Sequence, residues 1–108
     1  MQLATEAYRL AKLMPKAEEF RLTSQLLRAA TSVPANIAEG HSRGTRKDYA
    51  NFISIACGSL AETETLLELA VNVSLLPDTE TRAALNHCDE ISRMLSVLRN
   101  KLRSPPEA

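Results

Sequence analysis

The sequence predicts an all-α protein, an antiparallel up-down-up-down four-helix bundle, on three observations. The apolar fraction of the 108-residue chain is 44%, and Leu (16) and Ala (15) dominate it, with only four Ile and four Val. Side chains without β-branching lose little rotamer freedom in a helix. Breakers are few, three glycines and five prolines, and they punctuate runs of apolar residues spaced at threes and fours, the helical period. Four such runs joined by short connections favour antiparallel neighbours around one core.

The first run, Leu3, Ala7, Leu10 and Met14, keeps to one helical face until Pro15 stops it. The second starts near Thr23, a good N-cap residue, carries Leu22, Leu26, Ala29, Val33 and Ile37, and ends at Gly40, a natural residue to follow a helix. Pro34 lies inside this span, where it removes one backbone hydrogen bond and pushes Val33 away from α geometry. The apolar stripe continues past it, so the second helix is expected to be kinked near Pro34 and not broken. Thr45-Arg46-Lys47-Asp48 reads as a capping box with Asp in the Glu position and starts a third helix. Its stripe, Tyr49, Phe52, Ala56, Leu60, Thr63, Leu67 and Ala70, implies about seven turns, roughly 40 Å. Leu75-Leu76-Pro77-Asp78 breaks the pattern. Asp78 or Thr79 then caps a fourth helix with Leu85, Cys88, Ile91, Leu95, Leu98 and Leu102 at threes and fours. Residues 1–103 thus form one bundle domain, and 104–108 form a disordered tail beginning Ser104-Pro105-Pro106.

Thirteen Lys+Arg balance thirteen Asp+Glu, which excludes a globally basic nucleic-acid binder. A fold of this size removes only roughly two-thirds of its chain's surface from water, leaving little apolar area for a deep substrate pocket. The chain has no apolar window long enough to span a bilayer. Its start, Met1-Gln2-Leu3-Ala4-Thr5-Glu6, has neither the basic nor the apolar region of an export signal, so no membrane association is expected. Cys57 and Cys88 are expected as reduced thiols packed as small hydrophobes.

No catalytic residue, metal site or cofactor is expected. His41 and His87 are isolated apart from the spacing of His87 and Glu90, which reads as a solvated helix-surface pair. Cys88 belongs to the core stripe and points about 100° away from His87. Glu62, Glu64 and Glu68 lack the Glu-x-x-His pattern of a di-iron bundle. Gly40 and Gly44 are not followed by Lys-Ser or Lys-Thr in the register of a phosphate loop.

The charge is separated along the chain. Residues 1–58 carry eight Lys+Arg against five Asp+Glu, and residues 59–108 carry five against eight. In an up-down-up-down bundle the loop between the second and third helices shares an end with the C-terminus of the fourth. Arg43, Arg46 and Lys47 then meet Arg99, Lys101 and Arg103. Cations at a helix C-terminus complement its dipole, but Arg46 and Lys47 sit in a first turn, where the dipole disfavours them. This end reads either as a phosphate-binding surface for RNA or DNA or as a solvated, partly salt-bridged end. A second apolar face, Leu66, Leu69 and Val73 with Val71 between, reads either as burial against another subunit, hence a homo-oligomer, which is the expectation, or as an exposed apolar patch on a monomer.

The segments Leu22-Thr23-Ser24-Gln25-Leu26, Arg28-Ala29-Ala30, Ser32-Val33-Pro34-Ala35-Asn36-Ile37-Ala38-Glu39-Gly40 and Gly58-Ser59-Leu60-Ala61-Glu62-Thr63 carry a resemblance. They resemble the four-helix bundle proteins encoded in intervening sequences of bacterial large-subunit ribosomal RNA genes, a family also labelled ribosomal-protein-like. The resemblance runs from Tyr8 to about Leu102. It implies an antiparallel four-helix bundle, a homopentamer, the bacterial cytoplasm and no enzyme activity. More distantly, the chain is similar to the accessory variability determinant of diversity-generating retroelements, a pentameric basic barrel that binds nucleic acid and a reverse transcriptase. That likeness implies the alternative function, a protein-interaction scaffold. Two departures stand out. The family's first helix is usually longer, so Met1 is expected to enter partway along it, through either a late-assigned start or a short first helix. His41-Ser42 replaces an aromatic-and-glycine pair after Glu39-Gly40, although Arg43 matches a basic position. In the motif of Pro34, Asn36, Glu39 and Gly40, Asn36 and Glu39 are expected to satisfy backbone or interhelix hydrogen bonds around the kink.

Overall fold

A computed structural model describes residues 1–105. Helices form where the apolar period places them: α1 (Gln2–Ala11), α2 (Leu22–Ser42), α3 (Arg46–Asn72) and α4 (Asp78–Arg103), with one 3-10 turn at Lys16–Glu18. The described residues contain no strand. Residues 106–108 of the expected tail lie outside the described residues, whereas Ser104 is hydrogen-bonded to the end of α4, its backbone N–H 3.1 Å from the carbonyl of Asn100.

One core gathers Leu3 and Leu10 of α1, Leu26 and Val33 of α2, Ile53, Leu60 and Leu67 of α3, and Cys88 and Leu95 of α4. The result is a rod of 55 × 22 × 18 Å. Each helix packs on its neighbours in chain order, α1 also lying on α4, and the α2–α3 seam is the most extensive. Cross-helix partners mark two of these seams, α2–α3 and α1–α4. Ser32 meets Ser59 at 2.8 Å while Gly40 abuts Phe52, and Glu6 meets His87 while Arg9 meets Glu80.

The helix ends differ from expectation, each for a tertiary reason. Thr45 does cap α3, its hydroxyl accepting from the N–H of Asp48 at 3.1 Å. The N-cap of α2, however, is Arg21 and not Thr23. The 3-10 turn delivers the chain into the helix two residues early, the N–H of Arg21 donating to the carbonyl of Glu18 at 2.9 Å. Gly40 does not end α2, which runs on to Ser42. A Cβ at residue 40 would lie 2.6 Å from the Cβ of Phe52, so the glycine serves the close approach of two helices. The positive-φ turn falls at Gly44, φ 89°. Neither Asp78 nor Thr79 caps α4: Pro77 occupies the N-cap, and Asp78 pairs with Arg82 at 2.7 Å. Met14 is buried, but in the turn after α1 has ended at Ala11. At the C-terminus of α3, Ser74 adopts φ 62°, its N–H donating to Val71 and that of Leu75 to Ala70. This is a Schellman closure with serine where glycine is usual. It turns Leu76, 3% exposed, back into the core.

Candidate nucleic-acid interface

Because Thr45 caps α3, Arg46 and Lys47 are held in its first turn, where the helix dipole opposes positive charge. Arg46 resolves the conflict by reaching across to α4. Its guanidinium donates to the carbonyl of Lys101 at 2.7 Å and to that of Ser104 at 3.4 Å. Carbonyls at a helix C-terminus lack helical partners and carry the negative end of the dipole, so Arg46 acts as a cap for α4. Arg103 completes the stitch by donating to the Ser54 hydroxyl of α3 at 2.9 Å.

Between these two anchoring points lies a cleft of about 460 Å³, lined by Arg46, Lys47, Asn51, Arg103 and Ser104 together with apolar Ala50, Leu102 and Pro105. Three of the six cations expected at this end thus come together: Arg46, Lys47 and Arg103. Arg43 turns to the side of the hairpin, paired with Glu39 at 2.9 Å and stacked over the Phe52 ring at 5.0 Å. Arg99 is half-buried, its Nε enclosed without a hydrogen-bond partner, and neither it nor the exposed Lys101 lines the cleft. Spacing along α4 does not show which of Arg99, Lys101 and Arg103 faces α3; the packing angle of the two helices does.

The remaining expected positions fall as follows. Asn36 donates to both the carbonyl and the hydroxyl of Ser32, each at 2.8 Å, next to Pro34. The Glu39 carbonyl accepts from the Ser42 hydroxyl at 2.8 Å. Leu69 and Val73 are 45% and 53% exposed. Leu66, grouped with them as an oligomer face, is instead 8% exposed within its own chain, because the α3 stripe broadens toward the core in its second half.

His87 does not partner Glu90. Its Nδ1 lies 3.2 Å from a carboxylate oxygen of Glu6 on α1, both side chains being about four-fifths covered (21% and 22% exposed). No local spacing could have found a partner 81 residues away. Beside this pair, burial pushes the Cys88 thiol up from its ordinary 9.0 to about 12, with the negative charges of Glu64 and Glu6 adding to it. A thiol so placed is a core side chain and no nucleophile. Cys57 is half-buried and unpaired. Among the described residues no three His, Cys, Asp or Glu side chains are placed to hold a metal ion. No helix among them is long and apolar enough to cross a membrane.

Fold and site together define a small all-α, four-helix protein whose distinctive surface is a cation-lined end. The chain belongs to the 23S rRNA-intervening sequence protein family, whose model matches residues 1–97. It is similar to a crystal structure from Bacteroides thetaiotaomicron VPI-5482, a protein of unknown function from the S23 ribosomal protein family. The two share 30% identity with a TM-score of 0.82 over 90% of this chain and 92% of that one. Among curated proteins none matches significantly.

Proposed function

We propose that this protein is a non-enzymatic, cytoplasmic homo-oligomer, a pentamer by family resemblance, that binds the backbone of RNA or DNA through its basic end. Its helices would run up-down-up-down with α2 bent at Pro34. The oppositely running partner pairs support the first point, and the proline's missing N–H inside α2 supports the second. The exposed Leu69 and Val73 offer apolar area for subunit association.

The observation that carries the reading is the α3–α4 cleft. Arg46 is committed to the α4 carbonyls and sets the geometry of the wall, while Lys47 and Arg103 supply cations to its mouth. Arginine and lysine there can meet phosphate oxygens without reading base edges, which gives sequence-independent, salt-sensitive binding. Arg43, Arg99 and Lys101 add to the field at the same end. Repeating the cleft around an oligomer would raise weak binding to useful avidity.

The test is anisotropy of labelled structured RNA and duplex DNA at several salt concentrations, on protein whose subunit number is first read by light scattering. The paired variant Lys47→Ala, Arg103→Ala should weaken binding about tenfold or more and flatten the log–log salt slope by about one for each phosphate that is no longer neutralised. A strict monomer, no binding at low salt, or a variant that binds unchanged would overturn the proposal.

A further inference from the structure

A second cleft shares a wall with the first. It has a volume of about 280 Å³ and is lined by Gly40, His41, Gly44, Thr45, Arg46 and Tyr49, so that Arg46 belongs to both. The two clefts differ in chemistry. One presents cations; the other presents two aromatic rings, His41 and Tyr49, 5.6 Å apart and at 87° to each other. His41 is exposed and Tyr49 half-buried, and the two rings touch edge to face, so the ring surface left to solvent is chiefly that of His41. The turn at Gly44 is open: a Cβ there would meet nothing within 4 Å. The volume lies just below the roughly 300–1,000 Å³ of sites for drug-sized ligands, a size that suits a single flat ring system.

We infer that the basic end takes single-stranded nucleic acid, the backbone lying in the Lys47–Arg103 cleft and one unpaired base entering the His41–Tyr49 corner. This rests on the nucleic-acid reading above and narrows it. Along its length a duplex keeps its bases stacked on one another and offers an aromatic side chain no face except at its two end pairs; every unpaired base can offer one. Cations beside an aromatic platform are the arrangement by which proteins hold single strands without reading their sequence. Arg46 links the two halves. Anchored on the Lys101 carbonyl at 2.7 Å, it holds a fixed distance between the phosphate surface and the rings.

The experiment compares short single strands, as RNA and as DNA, with the blunt duplexes they form, by anisotropy at one low salt concentration. The single strand should bind about tenfold more tightly than its duplex in at least one sugar series. His41→Ala should cost the single strand about fivefold or more and leave the duplex unchanged, and His41→Tyr, which keeps a ring, should restore it. His41 is exposed, so neither change threatens folding. Lys47→Ala should weaken both forms. Equal binding of strand and duplex, or no effect of His41→Ala, overturns this inference and leaves the basic-end reading standing. Failure of both forms to bind overturns the two together.

Discussion

Along the α2–α3 seam the backbones approach so closely that a Cβ on Gly40 would lie 2.6 Å from that of Phe52, whereas α1 meets α4 through Arg9–Glu80 and Glu6–His87, both at 3.2 Å. The first seam also encloses a polar chain. Asn36 donates to Ser32, the Ser32 and Ser59 hydroxyls share a 2.8 Å bond, and Thr63 donates to the Ser59 carbonyl at 2.8 Å. Half-buried polar groups of this kind are satisfied in one register only. Beyond the apolar core that Leu3 and Leu10 enter, the polar contacts of the second seam are made by long side chains, and Arg9–Glu80 is about half exposed at both partners (51% and 52%), where an ion pair contributes little. Shape therefore sets the seam that positions the α2–α3 hairpin and its clefts. At the other side of the rod the polar contacts depend on the reach of long side chains, which tolerate small shifts more readily.

The largest test of that contrast is Gly40→Ala. Overpacking at 2.6 Å against a Cβ leaves only backbone movement as relief, so stability should fall by about 2 kcal/mol even after the small gain in helix propensity. Urea unfolding measures it, and a loss under about 0.5 kcal/mol would show that this seam spreads as easily as the other. Next comes the alkaline response of Cys88, which lies between the α1 and α3 carboxylates. The folded thiol keeps its proton to about 12 while the unfolded one ionises from about 9. Stability is then fully present below pH 9 and lost above it, at about 1.4 kcal/mol per pH unit. Cys88→Ala should remove this part of the slope between pH 9 and 11, seen by comparing denaturation midpoints of the two proteins. The smallest effect should be Arg9→Ala, less than about 0.5 kcal/mol and erased by molar salt. A larger cost would mean that α1 depends on this ion pair more than its exposure suggests.

Much of the helical skeleton was legible because it follows from local periodicity. The stripes through Leu3, Leu26, Leu60 and Leu95 all reach the core. Helix ends were less so, because a cap is chosen by what the neighbouring chain leaves available. Thr23 has the right side chain for a cap, but the 3-10 turn starts the helix at Leu22 and leaves its hydroxyl buried without a partner. Gly40 has the right flexibility for a terminus, but the space opposite it is filled by Phe52. Of the cations expected at the basic end, Arg46, Lys47 and Arg103 line one cleft, and Arg43, Arg99 and Lys101 do not. The role of Arg46 was not legible. Its local environment argues for strain, and only the arrival of the α4 C-terminus turns that into a cap.

The sequence by itself determined that the chain is helical, where the helices lie and that its opposite charges are separated along it, because rotamer entropy, apolar spacing and charge order are properties of neighbouring residues. Tertiary structure decided which cations share a cleft, that His87 answers to Glu6 instead of Glu90, and that Leu66 belongs to its own core. These depend on the distance and angle between helices, and no pattern along one helix contains them.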